Sequence, residues 1–340
     1  MTAMMIVMER SCSPEAIQAV VDRLESRGCD IHISEGQDRI VIGAMGAGTD
    51  LEQLPWEAME GVEQAVPVLK PFTFVSRDFR QQDTIVRVGD VQIGGNRFTV
   101  VAGPCAVESR EQLFRTAELV IKAGATVLRG DAFKPRTSPY AFQGLAEAGL
   151  ELLAAAREEF GVPFVAEVLD PRDVALVASY ADMLRVGTRN MSNYSLLAEV
   201  GKQPKPVQLK RGFTATIEDW LHAAETIYKE GNHQIVLVER GIRTFETAAR
   251  NTLDITAVPV VQRLSHLPIM VDPSHSGGHQ YLVAPLARAA VAVRSSGIMV
   301  DVHPSPDTAL VDGDQALLPS DFSELMDTVR SLAAAVDLEM

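Results

Sequence analysis

The stretch VLRGDAFKPRTSP, residues 127–139, sets Arg129, Lys134 and Arg136 within eight positions. Gly130, Pro135 and Pro139 break any helix through it, so the three cations are presented on a rigid turn after an apolar run. Arg189, Lys210 and Arg240 also stand at or just beyond the ends of apolar runs. Brought to one place, these six cations would repel one another unless anions compensate. Arginine forks suit phosphate and carboxylate, and lysine adds a compact charge. The implied ligands are small polyanions such as phosphorylated acids or sugars. For any single member, a salt bridge to a nearby acid is the plainer explanation.

A second group has different chemistry. Cys105, His275, Asp301 and Asp312 combine a thiol, an imidazole and two carboxylates, a set that suits a divalent transition metal with an open position. Their spacing is long and irregular. A lone cysteine after a strand is ordinarily a small buried hydrophobe. His266 and His303 lie close to His275 and Asp301 in sequence, so spacing does not choose among the histidines. Glu167 and Asp272 close two further apolar runs, PFVAEV and PIMVDP. The turns GPC and DPSHSGGH add backbone N–H groups that could help to hold an anion.

These residues need elements to position them. Apolar strand candidates are FTVVAG, TVLRG, PFVAEV, DMLRVG, PVQLK, IVLVER, PIMVDP and IMVDV, with helical patterns between most of them. The helix from Ser109, where Gln112 completes a capping box, runs to Gly124, and another starts at Pro171 behind Asp170. The sixth helix is poorly marked because residues 241–267 are irregular. Eight β-then-α units in about 240 residues predict a (β/α)8 TIM barrel. A doubly wound sheet competes, but no GxGxxG follows the first strand. A barrel builds its site at the carboxyl ends of its strands. Read in order, those ends supply Cys105, Arg129, Glu167, Arg189, Lys210, Arg240, Asp272 with His275, and Asp301.

Ahead of the barrel, residues 1–70 read as a ferredoxin-like βαββαβ module. Its strands are MMIVM, CDIHIS, RIVIGAM and VEQAVPVL. Its first helix is capped by Ser13 with Pro14 at the first helical position, and LEQLPWEAME supplies the second. Residues 71–83 read as a linker, and 84–340 as the barrel, entered through a hairpin that turns at GGN.

Composition narrows the function. The formal net charge is −14, which argues against nucleic acid and anionic membrane as partners. Half of that charge falls on residues 1–70, with five basic and twelve acidic side chains. An anionic ligand must therefore be held by local contacts against the overall field. Three cysteines, Cys12, Cys29 and Cys105, form no CxxC and fit a reduced cytoplasmic setting. No apolar run reaches the roughly 18 residues of a membrane span.

The motifs AGPCAVES, LRGDAFKPRTSPY, VGTRN, LKRGF, ERGIRTFE, NTLDI and VDPSHSGG together resemble the 3-deoxy-D-arabino-heptulosonate 7-phosphate (DAHP) synthases, which open the shikimate pathway. The similarity is to the short type I branch with an N-terminal ferredoxin-like domain. It covers roughly residues 80–335 strongly and the N-terminal module more loosely. The resemblance implies condensation of phosphoenolpyruvate with erythrose 4-phosphate, with release of phosphate. It implies a divalent metal (Mn, Fe, Co or Zn) held by Cys105, His275 and Asp312, and phosphoenolpyruvate held by Arg129, Lys134, Arg189, Lys210 and Arg240. Arg136, Thr137 and Ser138 match the erythrose 4-phosphate segment, and Glu167 and Asp272 match polar site residues. The family has glutamate where this chain has Asp301, which is shorter by one methylene, about 1.5 Å of reach. Asp301 is still expected to face the metal.

The same resemblance implies a homo-oligomer, a tetramer first. It also implies an N-terminal regulatory domain that binds tyrosine or phenylalanine, with His32 and Ser34 as the residues to watch. A polar strand edge is the plain alternative for that pair. A fused chorismate mutase does not fit a module with so much strand. The rival enzyme is 3-deoxy-D-manno-octulosonate 8-phosphate synthase, whose turn reads KANRS where this chain has KPRTS. The rival of another class is a non-catalytic effector-binding relative, to which the intact cation set is opposed.

Overall fold

The computed structural model describes residues 2–35, 39–46, 51–68, 72–136 and 138–340. The chain forms two compact units, one of residues 1–83 with 263–266 and one of residues 84–262 with 267–340.

In the first unit, β1 (Thr2–Met8), α1 (Pro14–Glu25), β2 (Asp30–Glu35), β3 (Ile40–Gly46) and β4 (Val62–Val68) build an antiparallel sheet of order β2-β3-β1-β4. Ser13 Oγ accepts the Ala16 N–H at 3.1 Å, and Pro14 sits where no helical N–H is needed. Ala16, Val20 and Leu24 recur at helical spacing and are buried. Val20 and Leu24 join Met4, Ile6, Met8, Ile42 and Ala44 of the sheet in one core.

The expected second helix is replaced by two 3-10 turns, Leu51–Gln53 and Trp56–Ala58. Pro55 lacks the N–H that would continue a helix and disfavours helical backbone at Leu54. Trp56 is buried instead, its indole donating to the Leu51 carbonyl at 2.8 Å. The four-strand order still matches the ferredoxin-like arrangement.

The stretch expected as a linker is closely packed where it is described. Phe74 and Phe79 are buried, and a Cβ at Gly43 would lie 2.5 Å from the Phe74 ring, so that contact requires glycine. Ser265 Oγ donates to the Val75 carbonyl at 2.6 Å, and His266 Nε2 lies 2.8 Å from the Phe74 carbonyl oxygen.

The second unit opens with a hairpin of β5 (Val86–Val88) and β6 (Val91–Ile93). It turns at Gly89-Asp90 rather than at GGN. Gly89 has φ +58°, which suits a two-residue turn, and GGN makes a separate bridge between Gly94 and Arg97. Val86, Val88 and Ile93 pack with Val101, Val127, Val165, Met183, Val238 and Met299 of the barrel interior.

The barrel alternates strand and helix: β7 (Thr99–Gly103), α2 (Arg110–Ala123), β8 (Val127–Arg129), α3 (Glu147–Phe160), β9 (Phe164–Val168), α4 (Val174–Tyr180), β10 (Met183–Val186) and α5 (Tyr194–Gly201) form its first half. The second half is β11 (Val207–Lys210), α6 (Ile217–Lys229), β12 (Ile235–Glu239), α7 (Ala257–Leu264), β13 (Ile269–Val271), α8 (Pro273–Gly277), α9 (Gln280–Ala292), β14 (Gly297–Asp301) and α10 (Pro319–Ala335). All eight strands are parallel to their sequence neighbours, and β14 closes on β7. Every residue of these strands is buried, which explains the continuous apolar runs.

Ser109 caps α2 by accepting the Gln112 N–H at 3.1 Å. Gln112 Oε1 accepts its return bond from the Glu108 N–H rather than from that of Ser109, and Gly124 closes the helix at φ +112°. The irregular stretch before α7 is pinned by the bridge of Ile242 to Thr252, which leaves only eight residues of helix.

Burial pulls the His266 pKa down to about 4, with Arg80 and Arg77 adding to it and the Phe74 carbonyl opposing. The folded state therefore holds a neutral imidazole that the unfolded chain protonates below about 6.5. This contribution is intact above 6.5 and is lost as pH falls towards 4, up to roughly 3 kcal/mol. His266→Gln should flatten that part of the profile, which urea unfolding of parent and variant between pH 7.5 and 4 will measure by difference.

Candidate active site at the carboxyl end of the barrel

The strand ends converge on a cavity of about 300 Å³. Its wall includes Lys134, Arg136, Ser138, Glu167, Arg189, Lys210, Phe213, Arg240, Arg250, His275 and Asp312. The wall is built by close approach at Gly187, where an added Cβ would come within 2.1 Å of Glu167 Oε1. Phe213 provides a face for three guanidinium groups, with Arg243 at 4.6 Å, Arg240 at 4.8 Å and Arg189 at 5.8 Å from the ring centre.

Four arginines in and beneath the cavity have nitrogens short of partners. Arg240 Nε and one terminal nitrogen, one terminal nitrogen of Arg136, and the Nε atoms of Arg129 and Arg185 are buried with no hydrogen-bond partner among the described residues; those of Arg240 and Arg136 belong to the cavity wall. Burial pulls Arg240 down to about 10, and Arg250 and Arg189 add to this against the opposing Asp272 and Glu239. Lys210 is pulled down to about 8, first by burial and then by Arg185 and Arg129, although Asp272 Oδ2 lies 2.7 Å from its Nζ. Unsatisfied buried donors are costly, so an anion that met them would relieve both desolvation and mutual repulsion.

The second group gathers around His275. Asp272 caps α8, its Oδ1 accepting the His275 N–H at 2.9 Å, with Pro273 at the first helical position. Asp272 Oδ2 also meets His275 Nδ1 at 2.9 Å, which fixes the ring and leaves Nε2 facing Cys105 Sγ at 3.8 Å and Asp312 Oδ2 at 3.7 Å. The Cys105 thiol donates to Asp312 Oδ2 at 3.2 Å. Cys105, His275 and Asp301 each offer a ligand atom within 4.8 Å of the others.

Burial pushes the Cys105 thiol up to about 12, with Asp301 and Asp312 adding to it and Lys134 opposing. Burial pulls His275 down to about 4, so the imidazole is neutral near pH 7 and free to ligate. Burial raises Asp312, but His275, Arg250 and Lys134 outweigh it and hold the carboxyl well below its usual range. Asp312 also adopts left-handed backbone, φ +52°, a conformation that Asp tolerates better than most residues. A soft thiol, a neutral imidazole and an ionised carboxylate at these separations fit a tetrahedral divalent ion, which would take the place of the thiol proton.

Beneath the cavity lies a buried ion network. Asp131 accepts from Lys134 Nζ at 2.8 Å, from Arg129 at 3.1 Å and from Arg185. Arg185 also faces Glu167 Oε2 at 3.6 Å. Arg129 is fully buried and bonded to Asp301 as well; burial lowers its pKa, but Asp301, Cys105, Asp272 and Glu167 together outweigh it and keep the guanidinium above the usual range. Lys134 Nζ reaches Cys105 Sγ at 3.2 Å and so joins the two groups.

The expected residues thus divide. Cys105, Lys134, Arg136, Ser138, Glu167, Arg189, Lys210, Arg240, Asp272, His275, Asp301 and Asp312 meet at the barrel mouth. Arg129 lies below the cavity rather than in its wall, and Thr137 falls outside the described residues. His266 and His303 are elsewhere, His303 against Glu108 at 3.4 Å. His32 and Ser34 stand in β2 of the first unit, where His32 packs on Phe74. Ser34 lines a separate cavity of about 460 Å³ with Arg39, Asp78, Phe79 and Arg80. Sequence reasoning missed Asp131, Arg185, Arg250 and Gln315. A charge inside the apolar run MLRV was the available signal for Arg185. The others carried none, since polar residues in loops are ordinary.

Two family models match the chain: the DAHP synthetase I family over residues 77–337, and the DAHP synthase ferredoxin-like domain over residues 4–70. A phospho-2-dehydro-3-deoxyheptonate aldolase of Thermotoga maritima is 50% identical over 337 residues, covering 99% of this chain and 100% of the relative. A 2-dehydro-3-deoxyphosphooctonate aldolase of Magnetococcus marinus is 32% identical over 267 residues, 73% of this chain and 92% of that protein. The crystal structure of the DAHP synthase of Thermotoga maritima superposes with a TM-score of 0.80 at 49% identity, over 100% of this chain and 99% of that one.

Cobalt(II) titration followed by absorbance tests the metal centre. Cys105→Ser should lower the affinity by at least about 100-fold and remove the thiolate charge-transfer band, with circular dichroism unchanged.

Proposed function

Because the chain belongs to the DAHP synthetase I family and carries out the DAHP synthase reaction, we propose that its cation-lined cavity holds phosphoenolpyruvate beside erythrose 4-phosphate and that the residues around it divide the work. That reaction is the first step of the shikimate pathway. The observation that carries the assignment of residues is that Arg240 and Arg136, in the wall of one cavity, keep buried guanidinium nitrogens with no hydrogen-bond partner among the described residues. Arg189, Lys210 and Arg240 hold the phosphate and carboxylate of phosphoenolpyruvate. Arg136 and Ser138, with Thr137 between them in sequence, take the sugar phosphate. Two anions held side by side convert a bimolecular encounter into a positioned one, up to about 7–11 kcal/mol in favourable cases.

A divalent ion held by Cys105, His275 and Asp312 would supply Lewis acidity towards the aldehyde oxygen of erythrose 4-phosphate. The bond that forms joins C3 of phosphoenolpyruvate to the aldehyde carbon. Water adds at C2, and the C–O bond to phosphate breaks, giving DAHP and inorganic phosphate. Lys134 Nζ, held by Asp131 at 2.8 Å, is placed to give a proton to the new hydroxyl oxygen. Glu167 and Asp312 are the carboxylates in the described cavity wall. Asp312 belongs to the metal set, so Glu167 is left to take the proton of the attacking water. Asp272 serves by fixing Lys210 and His275 together.

The family includes regulated enzymes, and the first unit is the candidate regulator. We assign tyrosine or phenylalanine binding to the neighbourhood of His32 and Ser34. The cavity beside Ser34 supports this, since Arg39, Arg80 and Asp78 could meet the carboxylate and ammonium of an amino acid. No helix among the described residues is long and apolar enough to cross a membrane. A homo-oligomer, tetrameric first, in the cytoplasm completes the reading on family grounds.

Phosphate release should require phosphoenolpyruvate with erythrose 4-phosphate, and arabinose 5-phosphate should be turned over at least about 100-fold less well. Equal turnover of the two sugars would instead support the octulosonate reading. Arg240→Ala should raise KM for phosphoenolpyruvate roughly 10- to 100-fold, the loss of one charge-assisted contact. Isothermal titration with each aromatic amino acid will test the regulator, which is excluded by absence of both heat and inhibition at millimolar concentration.

A further inference from the structure

We infer that Asp301 is not a ligand of the metal in this chain; it is a positioning residue that, together with Asp131, clamps Arg129, and the ion is held by Cys105, His275 and Asp312 alone. The inference deepens the proposed metal centre and rests on it.

Both oxygens of Asp301 are already engaged. Oδ1 accepts from Arg129, and Oδ2 accepts from Gln315 Nε2 at 2.6 Å. Gln315 is held in turn, its Oε1 accepting from Arg250 at 2.8 Å. The backbone N–H of Asp301 donates to Ser274 Oγ at 3.0 Å, which anchors the end of β14. The carboxylate is fully buried and is oriented from several sides.

His275 separates the two roles. Its Nε2 faces Cys105 Sγ and Asp312 Oδ2, and these three atoms stand 3.2 to 3.8 Å apart. Bond lengths near 2.0–2.3 Å at a tetrahedral angle place ligand atoms about 3.3–3.6 Å apart, so this triangle is close to complete without a fourth protein donor. Asp301 Oδ2 instead approaches the other ring nitrogen, Nδ1, at 3.6 Å, the edge that Asp272 occupies at 2.9 Å. Asp301 also lies within 4.8 Å of Cys105 Sγ, but its contact with the imidazole is at Nδ1 rather than at the Nε2 that faces Cys105 and Asp312.

The clamp has a use. Arg129 divides its guanidinium between Asp301 and Asp131, and its second terminal nitrogen also reaches the Cys105 carbonyl oxygen at 3.3 Å. Lys134 Nζ donates to the same Asp131 oxygen and to the same Cys105 carbonyl, at 2.8 and 3.0 Å. Two carboxylates thus set the Arg129 plane, and Arg129 with Lys134 sets the floor of the phosphoenolpyruvate site. Loss of one carboxylate should loosen substrate binding more than it loosens the metal.

The test compares Asp301→Asn with Asp312→Asn and Cys105→Ser in the full chain, by cobalt(II) titration and steady-state kinetics. Asp301→Asn should keep the parent cobalt spectrum and an affinity within about tenfold, while KM for phosphoenolpyruvate rises more than kcat falls. Asp312→Asn and Cys105→Ser should each lose at least about 100-fold in affinity and change the spectrum. A changed spectrum or a 100-fold loss in Asp301→Asn would make Asp301 a ligand and overturn the inference. Unchanged affinity in Cys105→Ser would instead reject the metal centre itself. Should Asp301→Asn fail to fold, crystals of the parent protein soaked with manganese decide the matter. Asp301 oxygens beyond about 3 Å of the ion support the clamp, and direct coordination overturns it.

Discussion

The site depends on one constraint: cations that must meet anionic substrates have to be stored beside one another, out of water, before the substrates arrive. Arg129, Arg185, Lys134 and Lys210 are all buried. Left alone they would repel and would lose their hydration, a penalty of several kcal/mol per ion. Asp131, Asp272 and Asp301 answer this from within the barrel, each at or just beyond the end of a strand. The compensation is incomplete by design of the geometry. Arg240 and Arg136 keep buried nitrogens with no hydrogen-bond partner among the described residues, and that remainder is what the proposed phosphate and carboxylate contacts would use.

The barrel makes this storage possible because its strands are buried on both sides and end at one rim. A strand of three to five residues delivers one side chain at its carboxyl end to a shared volume, while the preceding residues pack in the core. The hairpin of β5 and β6 packs with the same interior layer. Local sequence refines the aim. Pro273 and the Asp272 cap turn His275 towards Cys105, and Gly187 leaves room for Glu167. Left-handed Asp312 brings a carboxylate to the same thiol.

The two groups, the cations and the proposed metal donors, are joined through shared atoms. Lys134 touches Cys105 Sγ and Asp131, and Arg129 touches the Cys105 carbonyl and Asp301. A change at the proposed metal donors would therefore be felt by the cations of the cavity, and the reverse. Asp272 repeats the pattern on the other side, holding Lys210 and His275 with one carboxylate. Such sharing favours a single arrangement of the whole site, because few of its members can move without unpairing another.

Sequence alone determined the eight apolar runs, their order and the polar residue that ends each one, since burial on both faces of a parallel strand leaves a continuous apolar record. It also determined the first helix through Ser13 and Pro14, and the motifs that carry the family. It misread LEQLPWEAME, where the hydrophobic pattern suited a helix but Pro55 and the burial of Trp56 selected 3-10 turns. It placed the hairpin turn at GGN because Gly-Gly-Asn is the stronger local signal, whereas strand pairing chose Gly89-Asp90. Only the tertiary structure decided which charges line the cavity and which face one another. Arg129 reads as a strand-end cation like Arg240, yet Arg129 has both terminal nitrogens on carboxylates whereas Arg240 keeps Nε and one terminal nitrogen without a hydrogen-bond partner among the described residues. Asp131, Arg185, Arg250 and Gln315 are silent in sequence for the same reason. Coulombic and hydrogen-bond partners more than a hundred positions apart, as Arg129 and Asp301 are, meet only when the barrel closes.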